Sequence, residues 1–157
     1  MPKARIDLDD NTRKAMIALL NARLLDTIDL RLAIKQAHWN VKGPNFIALH
    51  EMFDAMQARV DGFADDIAER AAALGGIVAG TSQAVVGGSR LEPYPADITA
   101  QEEHLKALAE RVAKFGKLAR KAIDEADGAD DKDTADLFTA ISRQIDKDLW
   151  FLEAHLG

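Results

Sequence analysis

Hydrophobic residues recur at intervals of three and four along four separate stretches of the sequence, which is the pattern of amphipathic α-helices. The first stretch covers about 11–37. The second begins after Gly43-Pro44 and continues to Leu74, where Gly75-Gly76 stops it. Its apolar stripe consists of Leu49, Phe53, Met56, Val60, Phe63, Ile67, Ala71 and Leu74.

The other two helices lie in the second half of the chain. One opens at Thr99, and Glu102 three residues later predicts a capping box at its start. The other follows a break at Gly128. Four amphipathic helices of this length predict an all-α protein with a four-helix bundle. We treat 1–157 as a single domain with a short N-terminal tail at 1–10, because a chain of 157 residues can bury one continuous core.

The connections between the helices differ in length. Trp39 to Phe46 is short, so helices one and two are expected to be antiparallel neighbours. The stretch from Gly75 to Ile98 holds five of the ten glycines and two of the four prolines. Such a link can run along the whole bundle and make helices two and three parallel. One long crossover is the connectivity of ferritin-like bundles.

The composition restricts the chemistry of the chain. There are no cysteines, so disulfides, iron–sulfur clusters and thiolate zinc sites are excluded, and a metal has to be held by His, Asp or Glu. The longest apolar run, Ala15 to Leu20, is too short to cross a membrane, and no signal-peptide pattern is present. We therefore expect a cytoplasmic protein without a membrane partner. The net charge of −6 argues against general affinity for nucleic acid and is compatible with attraction of cations.

Side chains with metal-ligand chemistry follow a second stripe along helix two. His50 and Asp54 form one pair, and Asp65 and Glu69 form another; each pair is separated by four residues. At roughly 100° per residue, the four lie within a stripe about 100° wide, roughly 150° from the centre of the apolar stripe. They therefore point away from the core of their own bundle. One interpretation is a solvated helix face, and the other is a metal site.

The spacing of the two pairs limits how they can cooperate. Asp54 and Asp65 are about 16.5 Å apart along a helix axis, whereas cooperating metals lie ~4 Å apart. A two-fold axis near the middle of helix two would place the first pair of one copy opposite the second pair of the other, giving two equivalent sites per dimer. His38, at the end of helix one, would complete each site. Two His and three carboxylates suit iron, and zinc or manganese accept the same ligands.

Competing motifs are missing from the sequence. His50-Glu51 begins like the zinc-protease motif H-E-x-x-H, but position 54 is Asp. No Glu-x-x-His occurs, so the usual di-iron site inside a bundle core is not available. The sequence has neither a Gly-rich phosphate loop nor a nucleophile–base arrangement, so other enzyme classes have little support.

Several longer motifs surround these residues. They are Lys35–Gly43 (KQAHWNVKG), Phe46, Leu49-His50-Glu51, Phe53-Asp54, Ala68-Glu69-Arg70, Leu74-Gly75-Gly76, Tyr94–Ile98 (YPADI), and Asp133–Asp136 (DTAD) through Leu149-Trp150-Phe151. Together they cover nearly the whole chain and closely resemble the Dps family, the DNA-binding proteins from starved cells.

The resemblance implies a miniferritin that forms a dodecameric shell. At each two-fold interface between subunits, it implies a ferroxidase site that binds two iron ions. The family's ligands fall on His38, His50 and Asp54 of one chain and on Asp65 and Glu69 of its neighbour. The implied substrates are Fe(II) and an oxidant, with hydrogen peroxide preferred to dioxygen. Ferric mineral is then stored in the cavity, which protects DNA and the cell from oxidative stress.

Two further features gain an interpretation from the resemblance. In the family, a tryptophan at the position of Trp39 lies beside the iron site and takes up an oxidising equivalent; the alternative is packing at the helix end. In the family, acidic residues in this region line pores through which ferrous ions enter. The closest matches in this sequence are Asp127, Asp131 and Asp136; the alternative is a solvated loop. We interpret His104 and His155 as surface or interface histidines, because neither has a partner at ligand spacing.

DNA binding is expected to be weak or absent. Family members that bind DNA commonly use a long Lys-rich tail, since neutralising phosphates releases counterions. Here Lys3 and Arg5 are set against three acids, Asp7, Asp9 and Asp10. The alternative function is a nucleoid-associated structural protein that compacts DNA and binds metal incidentally; it requires a basic surface that the composition does not show.

Overall fold

Two helical hairpins form the bundle in the computed structural model, which describes residues 3–157. The first hairpin consists of α1 (Asp10–Asn40) and α2 (Phe46–Ala73), and the second of α4 (Gln101–Gly128) and α5 (Lys132–Ala154). A short helix, α3 (Ser82–Gly88), lies in the long link between them. The prediction of an all-α, ferritin-like four-helix bundle with one long crossover is confirmed. Among the described residues, no helix is both long and apolar enough to cross a bilayer.

The first helix is longer than its apolar pattern predicted. It begins after Asp9, whose carboxylate accepts from the backbone N–H groups of Asn11 (2.8 Å) and Thr12 (2.9 Å). Asp9 thus caps the helix by bonding N–H groups that have no acceptor within it. It ends at Asn40, three residues beyond the predicted boundary, and the backbone is extended at Val41. His38 therefore lies in the last turn of α1.

The predicted capping box at the start of α4 is wrong. The cap residue is Ala100, and no side chain bonds to the helix end. Instead, the backbone pairs with the α1–α2 loop: Lys42 donates to the Thr99 carbonyl at 2.8 Å, and Gln101 donates to the Lys42 carbonyl at 2.9 Å. Glu102 pairs with Lys106 at 2.5 Å. The backbone pairing of Lys42 with Thr99 and Gln101 joins the start of α4 to the start of α2, so the two helices run parallel.

Polar side chains of α1 hold the crossover in place. Asn21 bonds to the backbone on both sides of Val78, accepting from the Ala79 N–H and donating to the Ile77 carbonyl, each at 3.0 Å. Asp26, which is buried, accepts from the backbone N–H of Arg90 at 2.7 Å. The link is therefore attached along its length rather than free.

The core lies between the two hairpins. The apolar stripe predicted for α2 is buried, apart from the half-buried Phe63. The largest fully buried side chains include Phe53, Phe115 and Phe138, one from each of three helices. Burial of this apolar stripe leaves the opposite face of α2, with its His and carboxylate residues, directed outward.

Candidate metal centre

The end of α1 and the start of α2 bring two histidines together. The rings of His38 and His50 stack with their centroids 3.7 Å apart and their planes at 19°. The Nδ1 of His38 bonds to the backbone carbonyl of His50 at 2.7 Å, and the Nδ1 of His50 to that of His38 at 2.8 Å. Because a carbonyl oxygen only accepts, each Nδ1 carries a proton. In the neutral rings, Nε2 therefore has the lone pair that a metal needs.

Asp54 lies one helical turn after His50. Its Oδ1 is 4.0 Å from the Nε2 of His38 and 2.6 Å from the Nζ of Lys35. The hydrogen bond from the Lys35 ammonium lowers the pKa of Asp54 below its ordinary value, so this carboxylate is ionised at neutral pH. The structure thus brings three of the predicted ligands, His38, His50 and Asp54, to one end of the α1–α2 hairpin.

Asp65 and Glu69 lie on the same outward face of α2, towards its other end, and both are exposed. Within 3–157, no three His, Asp or Glu side chains of one chain are arranged to hold a metal ion together. Asp65 also lines an open groove of about 570 Å³ between α1, α2 and the crossover. In the same groove, Arg31 Nη1 lies 2.6 Å from Asp61 Oδ1.

Aromatic and apolar residues lie close to the two histidines in the sequence. The ring of Phe46 lies 5.1 Å from that of His50. Trp39 and Ile47 are 67% and 61% exposed, which is unusual for side chains of this size. Trp39 is therefore not part of the core of its own chain.

The three acids singled out around the α4–α5 turn differ in their surroundings. Asp127 pairs with Lys132 at 2.5 Å, and Asp136 is exposed. Asp131 is buried, caps α5 by accepting from the Thr134 N–H at 3.0 Å, and accepts from Arg70 Nη2 at 2.8 Å. The Asp131 carboxylate therefore joins α2 to α5 within the chain.

The expectation that His104 is a surface or interface histidine is wrong. It is 1% exposed, its Nε2 donates to the Ile98 carbonyl at 3.1 Å, and its Nδ1 accepts from the Tyr94 hydroxyl at 2.7 Å. Burial lowers the pKa of His104, so the ring is neutral. This network attaches the end of the crossover to α4. His155, in contrast, is exposed.

Sequence reasoning missed two cations beside the α2 stripe. Lys35 and Arg31 are one turn apart on α1 and reach Asp54 and Asp61 on α2. Lys35 is three residues before His38 and so shares its helix face. This spacing could have predicted that Lys35 lies near the site. The apolar periodicity of α1 gave no indication of which α2 acid each cation would meet.

Comparisons with known proteins support the fold and identify the family of the chain. A family model described as a ferritin-like domain matches residues 17–157. The chain is 49% identical over 154 residues to the DNA protection during starvation protein of Agrobacterium fabrum, covering 98% of this chain and 95% of the relative. Among solved structures, Mycobacterium smegmatis Dps in a tetragonal form superposes with a TM-score of 0.95 at 34% identity, covering 99% of this chain and 95% of the other. DpsA14 from Streptomyces coelicolor gives 0.94 at 37% identity, with 99% and 93% covered.

The helical order, the crossover and the family match define a ferritin-like bundle protein. The relatives assign the chain to a narrower group within that class, because the similarity extends over nearly the whole length of both chains. The chain belongs to the Dps family of miniferritins.

Proposed function

We propose that this protein oxidises ferrous iron at a site shared between two copies of the chain and stores the ferric product inside a dodecameric shell. The observation that carries the proposal is the reciprocal hydrogen bonding of His38 and His50, which fixes both rings with Nε2 available to a metal. Asp54 adds a carboxylate at the same end of the hairpin. The fold is consistent with this role, since ferritin-like bundles commonly hold iron.

The remaining ligands come, in this proposal, from a second copy. Asp65 and Glu69 of the partner subunit would face His50 and Asp54 across a two-fold axis near the middle of α2. Each is exposed in the isolated chain and therefore free to enter an interface. The set of two imidazoles and three carboxylates accepts ferrous and ferric iron, and its anionic charge favours the ferric product.

The reaction requires one oxidant for two ferrous ions. Each ion gives up one electron, and hydrogen peroxide takes up both; with two protons it leaves as two water molecules. We propose hydrogen peroxide as the preferred oxidant and dioxygen as the slower one. Consuming iron and peroxide together prevents hydroxyl-radical formation and so protects DNA and other cell components.

Two accessory roles complete the proposal. Trp39, exposed and next to His38 in sequence, supplies an oxidisable ring at the site. Asp127 and Asp136 line the pores through which ferrous ions reach the cavity. Asp131 belongs to the same acidic stretch, but its buried carboxylate is bound to Arg70 and Thr134, so its contribution is to hold the pore-forming turn in shape.

Anaerobic loading with ferrous iron, followed by hydrogen peroxide, tests the function. Ferric absorbance should rise rapidly in the wild type and be largely lost in the double variant His50→Ala plus Asp54→Ala. The control, His155→Ala plus Asp124→Ala, removes the same residue types from exposed positions outside α1 and α2 and should oxidise iron like the wild type. Equal rates in all three assembled proteins, or none in the wild type, would reject the assigned site.

A further inference from the structure

A lysine already occupies one of the carboxylates assigned to iron. The Nζ of Lys35 lies 2.6 Å from Asp54 Oδ1, the same oxygen that lies 4.0 Å from the Nε2 of His38. The side chain of Lys35 is 29% exposed and that of Asp54 is 54% exposed. The contact is therefore on the open side of the hairpin, and the ammonium is not fixed by burial.

Charge repulsion disfavours the use of this oxygen by Lys35 and a metal ion together. A ferrous ion binds a carboxylate oxygen at about 2 Å, so an ammonium on the same oxygen would lie within about 5 Å of a divalent cation. Like charges at that separation in a partly desolvated site repel strongly. The lysine can move because its four-carbon side chain is flexible and its ammonium is readily hydrated.

We propose that Lys35 is a built-in competitor for the iron site: its ammonium neutralises Asp54 when iron is absent and has to leave that carboxylate when iron binds. This inference rests on the proposed function and adds to it a residue that sets ferrous affinity. Lys35 does not touch the oxidant or transfer an electron; it acts through Asp54. By occupying the carboxylate, it also limits the repulsion between acidic residues that the apo interface would otherwise bring together.

The chain contains a matched pair for comparison. Arg31 lies one turn before Lys35 on α1 and pairs with Asp61 of α2 at the same distance, 2.6 Å. Asp61 is not among the assigned ligands. Removing either cation changes the net charge by one unit close to the same face of α2. Only the removal of Lys35 frees a carboxylate that is assigned to iron.

The experiment is an anaerobic calorimetric titration of the assembled protein with ferrous iron, repeated with redox-inert cobalt(II). The variants are Lys35→Gln, Lys35→Met, Lys35→Arg, Arg31→Gln and the double variant His50→Ala plus Asp54→Ala. We expect Lys35→Gln and Lys35→Met to bind about tenfold more tightly than the wild type, because no ion pair has to be broken. Lys35→Arg, which keeps the charge, and Arg31→Gln should remain within about twofold of the wild type.

The outcomes distinguish a failure of the inference about Lys35 from a failure of the proposed iron site. Equal tightening in Lys35→Gln and Arg31→Gln would reduce the effect to the general field of the protein and overturn the inference. Unchanged or weaker binding in both neutral Lys35 variants would also overturn it. If the double variant binds iron like the wild type, the assigned site itself is wrong and the proposed function fails.

Discussion

The Nδ1 atoms of His38 and His50 each bond to the backbone carbonyl of the other residue, at 2.7 Å and 2.8 Å. The two rings are thus held by main-chain atoms that no side-chain substitution can remove. Because the packing of α1 against α2 engages Nδ1 of both rings, Nε2 is the nitrogen that each ring leaves available for a metal. The stacking of the two rings is a further contact, and it is the one by which each histidine side chain supports the other.

Removing the His38 ring should therefore weaken metal binding in two ways, through the loss of one ligand and through the loss of a contact that orients the other. His38→Ala deletes a ligand and also removes the ring on which His50 stacks, whereas the backbone carbonyl that accepts from His50 Nδ1 remains. We expect cobalt(II) affinity to fall at least about tenfold, as for the loss of groups that orient a metal ligand. The matched control is His155→Ala, which removes an exposed histidine and should leave the affinity unchanged; an equal loss in both would show that the effect is not local.

The attachment of the crossover predicts a large effect of Asp26. This carboxylate is 0% exposed, lies 2.8 Å from Arg23 Nε and accepts from the backbone of Arg90. Asp26→Ala leaves the buried Arg23 without its counter-ion and should lower the free energy of unfolding by about 3 kcal/mol or more. Urea unfolding at fixed protein concentration measures this.

The control for Asp26 is Asp29→Ala, three residues further along α1. Asp29 is partly exposed and accepts from the Ser89 hydroxyl, so its removal should cost only about 1 kcal/mol. If the two variants lost the same stability, the buried pair would not be what attaches the crossover.

The buried His104 predicts a pH dependence of stability. Burial lowers its pKa below the ordinary value of 6.5, so below pH 6.5 the unfolded chain binds more protons than the folded one. The stabilising contribution of the neutral ring is therefore complete above pH 6.5 and is lost as the pH falls from there towards the lower folded pKa. His104→Gln keeps a donor and an acceptor but does not titrate. Its urea midpoint should fall less than that of the wild type between about pH 7.5 and about pH 5.5; parallel curves would contradict this interpretation.

The pore proposal predicts a separation of roles within the acidic turn. Asp127→Asn plus Asp136→Asn should slow iron incorporation by about tenfold at low ionic strength, because the field that attracts ferrous ions is weakened. Thermal stability should hardly change. Asp131→Asn should instead lower stability, since Arg70 loses a buried partner. Stopped-flow uptake and thermal unfolding of the two variants distinguish these effects; unaltered uptake in the first variant would reject the pore.

The N-terminal segment predicts little affinity for DNA at physiological salt. Lys3 and Arg5 are exposed, but Asp7 and Asp9 beside them are exposed as well. Any attraction of the assembled shell should be weak and should disappear as salt rises, because few counterions are released. A gel-shift assay with plasmid at low and moderate ionic strength tests this, and retention of plasmid at both would contradict it.

The sequence predicted the bundle well because burial follows helical periodicity. The apolar stripe of α2 forms the core, and the opposite stripe with His50, Asp54, Asp65 and Glu69 faces outward. What the pattern missed depends on contacts between distant segments. Ala100 replaced the expected cap because backbone pairing with Lys42 satisfied that end of α4.

His104 and Lys35 show the same limit at the level of single side chains. Nothing in the spacing of His104 reveals that Tyr94 and Ile98 of the crossover fold over it. Likewise, Lys35 is three residues from His38 in sequence, but its pairing with Asp54 depends on the relative rotation of α1 and α2. Helix rotation and loop docking are tertiary properties that periodicity does not encode.

The central claim, that iron is oxidised at a site built by two chains, is tested most directly by complementation. One variant carries His50→Ala and Asp54→Ala; the other carries Asp65→Ala and Glu69→Ala. Each alone should form shells with almost no peroxide-driven iron oxidation. When the two are co-expressed and purified through different tags, each mixed dimer regains one intact site, so random pairing should restore about a quarter of the wild-type rate. Mixed shells as inactive as their parents, with assembly intact, would contradict the shared site.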